Sequence, residues 1–176
     1  MSNYGGKDFA KSFRTVRKNT IQVAQEIPDD QYGFRATPDT RTVAETLAHV
    51  AASTQWVRQA HGRDKKTFLT FDDFKGYMAE GTALEADLKA RPKAQIIAAL
   101  EREGEMFASW LETLSDETLA ESVGFPPPLD PPSKTRFEML LGPKEHEMHH
   151  RAQLMVVERL LGIVPHLTRA RLARQA

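Results

Sequence analysis

The sequence predicts an all-α fold, a four-helix bundle. Three observations carry that expectation. Apolar residues recur with helical spacing in four long segments. Two of those segments open on residues spaced as a capping box, in which a hydroxyl and a carboxylate satisfy orphan backbone N–H groups. No segment shows the strict alternation that a half-buried strand requires. The chain has 176 residues, 40% hydrophobic and 27% charged. That is enough to bury the core of one soluble domain, and residues 1–176 are read as a single unit.

The first predicted helix carries Phe9, Phe13, Val16, Thr20, Val23 and Ile27 on one face, and Pro28-Asp29-Asp30 ends it. The second opens after the Pro38-Asp39-Thr40 turn, with Thr42 and Glu45 as its capping box, and is expected to run to about Ala60 and stop before Gly62. The third begins with Pro92 in its first turn, where the missing N–H costs nothing, and continues to Leu114. The fourth follows a proline-rich loop, residues 126–132. It opens on the Thr135/Glu138 box and reaches Leu161, with Gly162 as its C-cap. Gly142-Pro143 interrupts this stretch and is expected to kink the helix or restart it. Between the second and third helices, the polar segment from Thr67 to Lys89 suggests a solvated helix from about Asp72, weakened by Gly76 and Gly81.

Basic and acidic side chains balance at 24 each, so no global field draws the chain to nucleic acid or to an anionic membrane surface. Arg169, Arg171 and Arg174 read as charges closing a C-terminal helix. The absence of cysteine excludes disulfides, thiolate metal ligands and a cysteine nucleophile. The polar stretch Met1–Lys11 has no apolar h-region, and no apolar run approaches the ~20 residues of a membrane span. A cytoplasmic protein acting on a small molecule is the resulting expectation.

The most informative segment is His146-Glu147-Met148-His149-His150-Arg151-Ala152-Gln153-Leu154. A helix places residues i and i+4 on one face, roughly 5–6 Å apart at Cβ, so His146 and His150 can converge on one ion. His149 sits near enough to His146 on the helical wheel to replace either partner, and spacing does not choose between them. His49 is the third candidate, seven residues after the Thr42 cap on a face shared with Val50, Ser53, Trp56 and Val57. Three imidazoles with an open fourth position form the catalytic pattern for a divalent ion, Zn2+ or Ni2+. His61 and His166 fall at helix ends and read as surface or capping groups, although His166 could approach the site. Glu147 and Gln153 are candidates for chemistry or for orienting a histidine. Trp56, Phe107 and Trp110 could line a pocket, although helical aromatics are more often core.

Two motifs overlap here. His146 to His150 spells the H-E-x-x-H of zinc metallopeptidases, with Glu147 as the would-be base, but the further ligand positions and a preceding sheet are missing. Glu147 to His150 spells the Glu-x-x-His of di-iron bundles, which need the motif twice. A non-catalytic metal-binding or stress-related interaction bundle is the competing class.

The chain resembles the DinB-like superfamily in three stretches. Residues 31–45 lead into Leu47-Ala48-His49, residues 146–154 form the paired-histidine block, and Leu160-Leu161-Gly162-Ile163-Val164-Pro165 follows it. The resemblance covers almost the whole chain. Ala152 stands where glycine is common. The resemblance implies a four-helix bundle with an additional short helical segment between helices two and three. It implies His49, His146 and His150 as metal ligands, with His149 outside the set, and a homodimer. It also implies activation of a low-molecular-weight thiol, as in S-transferases, or of water.

Overall fold

The computed structural model describes residues 4–175; Met1 to Asn3 of the polar N-terminal stretch, and Ala176, lie outside it. Four helices form the bundle: α1 (Gly6–Glu26), α2 (Val43–Ala52), α5 (Lys93–Glu112) and α7 (Arg136–Leu160). Around them lie α3 (Gln55–Val57), α4 (Phe71–Leu88), α6 (Asp116–Ala120) and α8 (His166–Ala173). A two-stranded antiparallel ribbon joins β1 (Ser122–Gly124) to β2 (Ser133–Thr135), with Val123 opposite Lys134. Helix α1 packs on α5 and α7, and α2 packs on α4, α5 and α7.

The helix starts follow local chemistry. Thr42/Glu45, Thr70/Asp73 and Thr135/Glu138 all close reciprocal capping boxes. Phe9, Phe13, Val16 and Val23 of α1 are buried as their spacing requires. One core cluster joins Val23, Ile27, Leu47, Val50, Leu100 and Leu154; a second joins Phe9, Phe13, Phe107, Leu111 and Leu140. No helix among the described residues is long and apolar enough to cross a membrane.

Three expectations are corrected. The second helix does not run unbroken to Ala60: it turns at Ser53-Thr54, and α3 then passes into a wide π-type turn, Arg58–Arg63. Gly62 does not stop that turn but lies inside it, where a Cβ would meet the Trp110 ring at 3.1 Å. Helix α7 does not restart at Pro143, because tertiary packing over 25 residues outweighs one lost backbone bond. The β-ribbon was not legible because three residues per strand leave no alternation to read.

A buried carboxylate marks the far end of α7. Glu158 is fully buried, and neither of its carboxyl oxygens has a hydrogen-bond partner among the described residues. Burial, helped by the nearby charge of Glu26, pushes its pKa up to about 7. The folded state therefore binds a proton that the unfolded chain releases, and stability falls as pH rises from about 4.5 to about 7. From pH 5 to pH 8 this group should contribute a drop in stability of up to about 3 kcal/mol, read as the difference between wild-type and Glu158→Gln denaturation profiles, because buried His61 and His146 act in the opposite sense. Glu158→Gln should flatten that drop. Parallel profiles for the two proteins would contradict the assignment.

Candidate metal centre

Helices α2 and α7 bring His49, His146 and His150 together, although 97 residues separate the first two. The Nε2 atom of His146 lies 3.0 Å from that of His49 and 3.1 Å from that of His150. Nitrogens bound tetrahedrally to one ion at ~2.0–2.1 Å sit ~3.3 Å apart; these two edges are close to that, and all three ligand atoms lie within 4.8 Å of one another.

The proton inventory sharpens the fit. His49 donates its Nδ1 proton to Glu85 Oε2 at 2.7 Å, leaving a lone pair on Nε2. His150 donates its Nδ1 proton to Gln153 Oε1 at 2.7 Å, with the same consequence. Gln153 Nε2 in turn faces His149 Nε2 at 3.0 Å, which agrees with that amide orientation. Burial holds His146 down at about 4, with His150 and His49 adding to the effect, and burial also lowers His150. The one proton on neutral His146 cannot answer two facing lone pairs. A cation at the centre can.

Two residues that fix the tautomers carried weak or no sequence signal. Glu85 belongs to the polar helix α4, where a carboxylate reads as solvated. Its other oxygen, Oε1, lies 3.9 Å from Arg41 Nε. Gln153, a candidate from the sequence, meets His150 Nδ1 through its Oε1. His146 lacks such a partner among the described residues, since its Nδ1 is buried without a hydrogen bond.

The other candidates lie elsewhere. Glu147 points into the core, fully buried, and pairs with Arg17: Arg17 Nε lies 3.0 Å from both carboxylate oxygens. Arg17 Nη1 also donates to the Leu100 carbonyl at 2.6 Å. Gly104 leaves the room, since a Cβ there would stand 2.8 Å from Arg17 Cγ. So placed, Glu147 cannot serve as the base of an H-E-x-x-H peptidase. His61 is not a surface group. It is buried, and its Nδ1 accepts a hydrogen bond from Arg136 Nη1 at 2.8 Å. Burial and the Arg136 charge hold its pKa at about 4. His166 faces Asn19 Oδ1 at 3.3 Å, outside the triad. Phe107 is core and Trp110 packs over Gly62.

The triad is flanked by two cavities. One of about 290 Å3 is lined by His49 and His146 together with Trp56, Tyr77, Met78 and Pro143. The other, about 700 Å3, is bordered by Arg41, Thr46, His149, His150 and Gln153.

A model of the DinB superfamily matches residues 12–154. The chain belongs to the DinB superfamily. Among solved structures, YfiT from Bacillus subtilis is 18% identical over 93% of this chain and 91% of its own, with a TM-score of 0.67. It is described as a probable metal-dependent hydrolase with an unusual four-helix bundle topology. YjoA, a DinB-like protein from Bacillus subtilis, is 18% identical over 87% of this chain and 90% of its own, with a TM-score of 0.62. A mycothiol-dependent maleylpyruvate isomerase is 12% identical over 88% of this chain and 63% of its own, with a TM-score of 0.59. At these identities the structural likeness speaks for the fold alone. The comparison with curated proteins gave no match.

The place of Glu147 has a measurable consequence. Removing one partner of a buried ion pair leaves the other charge uncompensated, at a cost of about 3–5 kcal/mol. Glu147→Ala should lower the free energy of unfolding by that amount in urea titrations. Wild-type stability would return Glu147 to the list of groups free for chemistry.

Proposed function

We propose that this DinB superfamily member is a divalent-metal-dependent enzyme that activates a low-molecular-weight thiol or water at His49, His146 and His150. Zn2+ or Ni2+ is the ion that three imidazoles favour. One observation carries the reading: three Nε2 atoms meet with lone pairs inward and too few protons to satisfy them.

A bound ion would supply Lewis-acid chemistry, lowering the pKa of a thiol or water and polarising a carbonyl. The chain's own residues prepare for it. Glu85 and Gln153 hold the Nδ1 protons of His49 and His150, fixing ring orientation and raising the basicity of each Nε2. The low pKa of His146 keeps its ring neutral and able to donate a lone pair at neutral pH. Glu85 also borders the smaller cavity. The descriptions of YfiT and of the mycothiol-dependent isomerase support metal-dependent hydrolysis and thiol-dependent chemistry respectively, and both nucleophiles stay within the proposal.

The proposal includes a homodimer. Val156 and Leu160 of α7, 55% and 59% exposed, with Val164 just beyond, supply apolar surface that a second copy could cover.

Metal titration tests the reading. The wild-type chain should bind one Zn2+ or Ni2+ per chain, and His49→Ala, His146→Ala and His150→Ala should each abolish stoichiometric binding. Glu85→Ala should weaken affinity by about 10- to 100-fold, the usual effect of removing an orienting partner. Metal content unchanged across the histidine variants would sink the proposal.

A further inference from the structure

The smaller cavity is chemically lopsided. Among the described residues, its only charged or imidazole groups are His49, His146 and Glu85, with no lysine or arginine in its lining. Its three hydroxyls spend their protons inside the protein. Ser53 donates to the Val50 carbonyl at 2.8 Å, Thr82 to the Met78 carbonyl at 2.9 Å and Tyr77 to Asp64 Oδ2 at 2.6 Å. The remaining wall is Trp56, Met78, Pro143 and Ala52, with two helical glycines. An anionic group would lose its hydration and find no opposite charge in return, and a cation would find only Glu85, which already accepts the His49 Nδ1 proton.

The glycines bear on size. Gly81 in α4 and Gly142 in α7 each lie within a helix, where glycine costs roughly 0.5–1 kcal/mol relative to alanine. Neither is demanded by close packing: a Cβ at Gly142 would meet nothing within 4 Å, and one at Gly81 only the Ala52 carbonyl at 3.8 Å. Both border the cavity, so what their missing side chains leave is cavity space.

We infer that this cavity takes an uncharged, largely apolar substrate of about one or two rings, its single reactive polar atom toward His49 and His146, with Gly81 and Gly142 setting its size limit. The inference rests on the triad being the reactive centre. Its test does not need the metal.

The probe is 2-naphthol, titrated into the metal-free full chain and followed by the NMR shift of the Trp56 indole. Saturable one-to-one binding is expected, at least tenfold tighter than for 2-naphthalenesulfonate, which carries a charge on the same two rings. Gly81→Leu and Gly142→Phe should each weaken binding at least tenfold. Gly76→Leu, on the same helix as Gly81 but outside the cavity, should leave it unchanged. Folding of each variant is checked by circular dichroism, and the two filling substitutions sit on different helices, so loss of one fold leaves the other test standing. No saturable binding, equal affinity for the sulfonate, or filling variants that bind like wild type would overturn the inference. A metal titration on the same samples separates the two readings, since naphthol binding without metal binding would leave the cavity assignment and remove the metal centre.

Discussion

The geometry of the site depends on how α7 is rotated against the bundle, and the buried pair of Arg17 with Glu147 holds that rotation. Glu147 has no exposure and Arg17 is 4% exposed, so neither charge can leave the other without a large desolvation cost. A one-residue slip of α7 would turn Glu147 about 100° away from α1 and strand Arg17. His146 precedes Glu147 and His150 follows it by three positions. With the carboxylate anchored in the core, the two imidazoles are carried to the side of the helix where α2 presents His49. The pair is thus a structural device within a motif that reads superficially as catalytic.

The same helix shows how function is accommodated against stability. Pro143 forfeits a backbone bond and Gly142 lowers helix propensity, yet the helix stays continuous because its buried face packs on α1 and α2. These two residues border the smaller cavity next to His146. Helix α4 is similar in kind. It buries only Tyr77 and Leu88, holds two glycines, and still delivers Glu85 to His49. Segments with little buried apolar surface open at low free-energy cost.

Much of the bundle was legible in the sequence because its determinants are local. The period of Phe9 to Ile27 and the boxes at Thr42/Glu45 and Thr135/Glu138 act over a few residues, and they act as the patterns predict. The proximity of His146 and His150 is equally local. What the pattern could not carry is contact across the fold. Glu85 lies 36 residues from His49, and its surroundings in α4 look solvated. His61 reads as a helix-end group until Arg136, 75 residues away, is folded against it. Glu147 followed the H-E-x-x-H spelling in sequence, and only its partner 130 residues earlier shows which way it points.

As proposed, three imidazoles, and no carboxylate or fourth histidine, converge on one divalent ion. X-ray absorption at the zinc edge, on the full chain loaded with one equivalent of Zn2+, measures that set of ligands directly. The account predicts three imidazole nitrogens at ~2.0–2.1 Å with a remaining light-atom ligand from solvent. Fewer than three imidazoles in the fitted shell, or a fourth one closing it, would contradict it.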